Sequence, residues 1–136
     1  MIKRRTFFIQ TGTLGVAAAA GVLSVPASAQ SMMAKSAGTF EGRSNHVTSG
    51  SVKIIEEDGR TFVELGEDFS LDGGPDPRVG FGKDGEYKKD AYLGALLSLN
   101  GKQRYAVPAT WVASDFNEIY IWCEVADVPL GVASLM

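Results

Sequence analysis

Turn-forming residues recur roughly every eight to twelve positions along most of this chain, and this spacing constrains the fold more than any other feature. The dipeptide Asp58-Gly59 separates two apolar-rich runs, residues 52–55 and 61–65. This arrangement is typical of a β-hairpin, whose tight turn needs positive backbone φ angles. Short strands separated by regular turns predict an all-β domain, and we expect a small antiparallel β-sandwich.

The second half of the chain carries further signals of the same kind. Asn100-Gly101 predicts another turn before a strand at residues 103–107, and residues 129–135 predict a last strand. Residues 119–125 alternate in type, so one face would carry Ile119, Ile121, Cys123 and Val125, and the other Tyr120, Trp122 and Glu124. Residues 91–99 suit either a strand or a helical turn, because Leu and Ala favour helix while Gly94 weakens it.

The residues between these segments also predict structure. Residues 72–77 (DGGPDP) predict a loop, because proline lacks an N–H donor and glycine loses much conformational entropy on ordering. The glycines of Gly80-x-Gly82-x-x-Gly85 have the spacing of a dinucleotide-binding fingerprint. That fingerprint works between a strand and a helix of a βαβ unit. In a domain with an all-β pattern, we interpret this stretch as a glycine-rich loop.

The N-terminal segment has the pattern of an export signal. Lys3-Arg4-Arg5 precedes an apolar run at residues 12–25, and Ala27-Ser28-Ala29 supplies small residues for cleavage. Arg4-Arg5 followed by two phenylalanines is close to the twin-arginine motif. We therefore expect a twin-arginine signal peptide at residues 1–29, a linker at 30–37 and one domain at 38–136, located in the periplasm or secreted.

The charge of the expected mature chain limits its partners. Without the three basic residues of the signal, ten basic residues remain against sixteen acidic ones, a net charge of −6. Nucleic acid and anionic lipid both require clustered Lys and Arg, so we expect neither as a partner. The apolar run of the signal is too short and too rich in Gly, Ala and Thr for a membrane span, and we expect none in the mature chain.

The counts of histidine and cysteine exclude several kinds of site. His46 is the only histidine and Cys123 the only cysteine, so blue-copper sites, CxxC redox pairs and CxxCH haem attachment are all excluded. Catalytic zinc sites also need more His or Cys than this. His46 lies at the entry to a predicted strand, which favours a structural histidine over a ligand or a base.

Two other groups of residues have both a functional and a structural interpretation. Asp68, Asp72, Asp76 and Asp84 offer the oxygen ligands that calcium prefers, but their spacing matches no calcium loop, so we interpret them as solvated turn residues. Five aromatic residues could stack on a sugar or a partner if they shared an exposed face, although core packing is the commoner role. These are Tyr105, Trp111, Phe116, Tyr120 and Trp122.

Cys123 leaves two interpretations open. An ionised thiol can act as a redox centre, a haem ligand or a nucleophile. Alternation instead places Cys123 among Ile119, Ile121 and Val125. A thiol surrounded by aliphatic groups behaves as a small apolar residue.

Several stretches in a fixed order resemble the DM-thirteen domain, an electron-transfer module of bacteria and of the animal Skeletor protein. The likeness spans residues 38–135. Its parts are Gly38-Thr39-Phe40, residues 46–54 (HVTSGSVKI), Asp68-Phe69, residues 74–79 (GPDPRV), residues 93–96 (LGAL), residues 101–108 (GKQRYAVP), residues 119–123 (IYIWC) and residues 130–135 (LGVASL).

The resemblance implies a redox role for the cysteine, here Cys123, as a free thiol or as a ligand of a prosthetic group such as haem. If haem is bound, His46, Met32, Met33 or Met136 would be candidates for the second ligand. In animals the domain often lies beside haem-binding modules, and this sequence carries none.

Three hypotheses follow from the sequence. The first is an exported redox accessory domain that uses Cys123 with an unidentified redox or envelope partner. The second is a non-catalytic module that binds a glycan or a protein, with a buried structural cysteine. The third is a purely structural envelope domain. An enzyme is the least favoured class, because no acid–base or nucleophile–base pair can be assembled from these residues.

Overall fold

A computed structural model describes residues 32–136, which form one compact unit. The expected signal peptide and its cleavage site lie outside the described residues. Ten strands occur in residues 32–136: β1 (Met32–Gly42), β2 (Thr48–Ser49), β3 (Ser51–Glu57), β4 (Arg60–Leu65), β5 (Ser70–Leu71), β6 (Pro77–Lys83), β7 (Glu86–Ala95), β8 (Gln103–Ala106), β9 (Glu118–Cys123) and β10 (Val128–Ser134). A 3-10 turn, Ala113–Asp115, precedes β9. Within this range, no helix has the length and hydropathy needed to cross a membrane.

Eight strands form one antiparallel sheet in the order β7-β6-β9-β10-β1-β3-β4-β8, and β2 pairs with β5. The outermost strands, β7 and β8, also contact each other, so the sheet curls almost into a barrel. The predicted small all-β antiparallel fold is confirmed. The facing layers of the expected sandwich are opposite walls of one curled sheet.

The predicted hairpins form where the local turn chemistry is strongest. β3 and β4 are joined by Asp58 and Gly59, both with positive φ, which fits the right-handed twist of the flanking strands. Asp84 and Gly85 join β6 to β7 in the same way. Residues 86–95, which overlap the ambiguous segment, form the long strand β7.

Gly82 corrects the interpretation of a glycine-rich loop, because β6 runs through both Gly80 and Gly82. A Cβ atom at Gly80 would lie 2.8 Å from the Tyr87 ring, and one at Gly82 would lie 2.3 Å from the Tyr120 ring. The two glycines therefore allow aromatic rings to lie flat against the strand. No phosphate-binding role is needed to explain them.

The first strand also begins earlier than the composition suggested. Residues 32–37, most of the expected linker, belong to β1 and pair with β3. The core lies inside the curled sheet and includes Phe69, Phe81, Ile119, Ile121 and Leu130, each at most 1% exposed. Val125, expected beside Cys123, follows the end of β9 and is 70% exposed.

Candidate functional site

Cys123 lies at the last position of β9, where the strand enters a turn. Pro77, which begins β6, pairs with it on one side, and Val128, which begins β10, pairs with it on the other. Its side chain belongs to the same core cluster as Ile119 and Ile121 and is 2% exposed. The alternation predicted from the sequence is thus present from Ile119 to Cys123.

Two backbone groups, rather than aliphatic groups alone, contact the sulfur atom. The thiol donates to the carbonyl oxygen of Pro75, with Sγ and O 3.2 Å apart. The backbone N–H of Ala126 donates to Sγ at 3.4 Å. The thiol therefore has two backbone partners.

The loop at residues 72–76 covers this sulfur. Gly73, Gly74 and Asp76 all have positive φ angles, which bring the backbone back over the end of β9. The carbonyl oxygen of Asp76 accepts a hydrogen bond from the N–H of Glu124, with N and O 3.2 Å apart. The thiol is therefore one layer below the surface, under a loop whose outer residues are exposed.

His46 holds the first residue of the same loop. Its Nδ1 lies 2.9 Å from Oδ1 of Asp72, and the N–H of Val47 donates to Oδ2 at the same distance. The Val47 N–H, followed by His46, lowers the pKa of the Asp72 carboxyl below its usual value. Cε1 of His46 is 3.6 Å from the position that a Cβ at Gly74 would occupy.

The structure thus brings both predicted site residues to one loop, with Asp72 at one end and Pro75 near the other. Sequence reasoning had assigned Asp72 to a solvated turn and gave Pro75 no role. The signal available was the length and composition of the loop, which indicate a backbone able to fold over a neighbour. The composition of the loop does not indicate its contact residues, because His46 is 26 positions from Asp72 and Cys123 is 48 positions from Pro75.

The arrangement does not fit a haem bound through Cys123. The thiol is buried and hydrogen-bonded, and the His46 ring is engaged by Asp72. Met136 follows the end of β10 that is farthest from Cys123, and the backbone of Met32 and Met33 pairs with the far end of β3. A haem would require the loop to move away.

The acidic residues considered for a metal are each engaged by protein groups. Asp68 accepts from the N–H and hydroxyl of Ser51, Asp76 binds Arg78 through two hydrogen bonds, and Asp84 contacts the amide of Asn117. Within residues 32–136, no group of three or more His, Cys, Asp or Glu side chains is placed to hold a metal ion.

The five aromatic residues do not share one face. Tyr120 and Trp122 lie with Tyr87 on the outer side of the sheet, where Tyr87 and Trp122 stack with centroids 4.4 Å apart. Burial raises the pKa of Tyr87 to about 12. Trp111 and Phe116 instead pack on Phe81, which is completely buried, and Tyr105 is buried near the contact between β7 and β8.

Comparison with known families gives one finding. The model of the family described as "Electron transfer DM13" matches residues 39–135, which include His46, the loop at residues 72–76 and Cys123. Comparisons with curated proteins and with solved structures gave no match. Since the family model covers well over half of the chain, the protein belongs to the electron-transfer DM13 family.

Proposed function

We propose that Cys123 is the group that changes oxidation state in this redox-related domain, and that the loop at residues 72–76 controls access to it. The observation that carries the proposal is the cover over the thiol. Cys123 is 2% exposed, and the carbonyl oxygen of Pro75 in that loop accepts a hydrogen bond from its thiol. A movement of this loop would expose the sulfur without disturbing β9.

The chemistry that a single thiol supports best is exchange with a disulfide of a partner. Cys123 loses its proton, and its thiolate attacks one sulfur of the partner disulfide. A new S–S bond to Cys123 forms as the partner's S–S bond breaks, and the leaving thiolate takes up a proton. Since Cys123 is the only cysteine, it remains in this mixed disulfide in the oxidised state, while the partner's released sulfur is reduced to a thiol.

The pair formed by His46 and Asp72 would keep the loop closed. Asp72 joins the loop both to the His46 ring and to the Val47 backbone. Its replacement by asparagine removes the charge and one of the two carboxylate oxygens. We therefore expect Asp72→Asn to increase the fraction of time that the thiol is exposed, with little effect on the core.

The test is the rate at which the purified protein reacts with an aromatic disulfide that releases a coloured thiolate. We expect slow, complete reaction of one thiol in the native protein and a clearly faster reaction in Asp72→Asn. Asp58→Asn, in the exposed turn between β3 and β4, is the matched control and should react like the wild type. Cys123→Ser should not react.

Two results would refute the proposal. One is a native thiol that reacts only at the rate of global unfolding, measured in parallel by denaturation kinetics. The other is an equal rate in the wild type and Asp72→Asn. Mass spectrometry of the product identifies the expected mixed disulfide directly.

We also infer that residues 1–29 direct export by the twin-arginine route and that the domain works in the periplasm or outside the cell. Arg4-Arg5 and the small residues 27–29 support this inference. A reporter fused after residue 37 should be exported by the native signal and retained when Arg4 and Arg5 are both replaced by lysine. Export that is unchanged by this double replacement would refute the twin-arginine route.

A further inference from the structure

A cleft of about 410 Å³ opens at the end of the sheet opposite Cys123. Along β6 and β9, Pro77 pairs with Cys123 at one end and Gly82 with Glu118 at the other. The cleft lies at the second end, beside Lys83, and its volume is within the range of small-molecule sites. It shares no residue with the loop that covers the thiol.

The cleft has a fixed aromatic wall. Phe116 stacks on Phe81 with centroids 4.7 Å apart and an interplanar angle of 19°. Trp111 meets Phe81 edge to face at 6.5 Å. Because Phe81 is completely buried in the core, Trp111 and Phe116 are held in place, while each remains partly exposed towards the cleft.

The rim of the cleft carries balanced charges. Lys83 and Lys88 supply ammonium donors, although Lys88 already donates to Glu86 at 2.9 Å. Asp90 and Asp115 supply carboxylate acceptors, and Thr110 supplies a hydroxyl. A ligand with net charge would meet like charges on half of this rim. Hydroxyl groups both donate and accept, so a polyhydroxylated neutral ligand can use both kinds of side chain.

A second cleft, of about 490 Å³, continues from Trp111. It is lined by Arg60 and Glu56, again one cation and one anion, together with Thr61 and the backbone after β8. Trp111 lines both clefts, and we call the two clefts with this shared indole the groove.

We infer that this groove binds a neutral linear oligosaccharide, with one sugar ring against Trp111 and its hydroxyls on the charged rim. Aromatic side chains offer the flat apolar surface on which the C–H face of a sugar packs, and the flanking carboxylates and ammonium groups fix its orientation. This inference does not depend on the redox role of Cys123.

The experiment uses the fluorescence of Trp111, isolated by the variant Trp122→Phe. The two tryptophans are Trp111 and Trp122, and phenylalanine preserves the stacking of residue 122 on Tyr87. Chitotetraose and cellotetraose are titrated to millimolar concentration. We expect a saturable change in fluorescence with at least one of them, and the same affinity when Cys123→Ser is added.

Two variants made on the Trp122→Phe background locate the site. The double variant Asp90→Asn, Asp115→Asn keeps the aromatic wall and should weaken binding by about tenfold, as expected when two charged hydrogen bonds are replaced by weaker neutral ones. Asp58→Asn, outside the groove, should not change it. Trp111→Ala, followed by calorimetry because the reporter is lost, should abolish binding while circular dichroism shows that the fold is retained.

Three outcomes would overturn the inference. They are no saturable change with either tetrasaccharide, equal affinity in the double variant and Asp58→Asn, and undiminished binding in a folded Trp111→Ala protein. If Trp111→Ala does not fold, the double variant alone decides.

Discussion

The two ends of the curled sheet differ in how their polar groups are satisfied. At the end that holds Cys123, which we call the closed end, the thiol, Asp72 and Thr48 all have partners within the protein. At the open end, Trp111, Asp90 and Asp115 line a cleft. The closed end is suited to restrain a reactive group, and the open end to receive a ligand. Substitutions of the same kind should therefore have unequal effects at the two ends.

The largest contrast is expected from arginine at each end. Cys123→Arg places an unpaired charge in a core position that is 2% exposed, at a cost of several kcal/mol, against a total stability of about 5–15 kcal/mol for a small domain. We expect no folded protein. Val112→Arg, at a site 56% exposed beside the open cleft, should change stability by only about 0.5 kcal/mol.

Circular dichroism and urea denaturation of both variants make this measurement. A cooperative, native-like transition for Cys123→Arg would show that the closed end can open around the new side chain. The comparison of the two ends rests on the tight packing around Cys123, and that result would contradict it.

Alanine in place of a positive-φ glycine gives the next contrast. Gly74 has φ +150°, and a Cβ there would lie 3.2 Å from Cδ1 of Leu130. Gly85 has φ +88° and no heavy atom within 4 Å of such a Cβ. Both substitutions incur backbone strain, of about 1 kcal/mol at Gly85 and more at the φ of Gly74. Gly74→Ala also adds crowding and should reach about 2–3 kcal/mol.

The difference between these two variants in urea denaturation reports the extra backbone strain at residue 74 together with the contact with Leu130. An equal decrease in the free energy of unfolding would mean that the loop at residues 72–76 accommodates the added Cβ by moving, at no extra cost. In that case Gly74→Ala should still react with disulfides at the wild-type rate, since an already mobile loop gives no protection.

How far the sequence could predict this comparison depends on the distance between interacting residues. The hairpin at Asp58-Gly59 was predictable because its cause is local, two residues with positive φ between two apolar runs. The burial of Cys123 was predictable because alternation within one strand fixes its face. Both predictions use information contained in a single short stretch of consecutive residues.

The missed features depend on residues far apart in the chain. Gly82 looks like a loop residue until the ring of Tyr120, on a neighbouring strand, is placed against it. Residues 32–37 carry no strong strand signal, and their pairing with β3 makes them a strand. The contact between Cys123 and Pro75 joins residues 48 positions apart, so the cover over the thiol could not be read from either segment alone.

A smaller contrast is expected from removing one hydroxyl at each end. Thr48 is 4% exposed and donates to the carbonyl oxygen of Leu130 at 2.8 Å. The N–H of Arg43 also donates to that oxygen, so Thr48→Val leaves it with one partner and should cost about 1 kcal/mol. Thr110→Val, on the rim of the open cleft, should be neutral in thermal denaturation. An unchanged melting temperature in Thr48→Val would show that the buried hydrogen bond of Thr48 stabilises the closed end no more than the exposed hydroxyl of Thr110 stabilises the open end.

The smallest contrast concerns acid. The Val47 N–H and His46 lower the pKa of Asp72 in the folded protein below its usual value of 3.8. A carboxyl whose folded pKa is depressed stabilises the protein above its unfolded pKa, and this contribution is lost as the pH falls through the folded pKa. The melting temperature of the wild type should therefore exceed that of Asp72→Asn at pH 7, and the gap should close below about pH 4.

Asp115→Asn is the matched control for this acid effect, because it removes one exposed carboxylate from the open end. Differential scanning calorimetry of the three proteins between neutral and acid pH gives the comparison directly. If the gap between the wild type and Asp72→Asn stays constant as the pH falls, the carboxylate charge does not hold the loop. The closed end would then be held only by the contact of Pro75 with Cys123 and by the packing of Leu130. In that case the loop at residues 72–76 would stay closed in acid, even after the pair formed by His46 and Asp72 is broken.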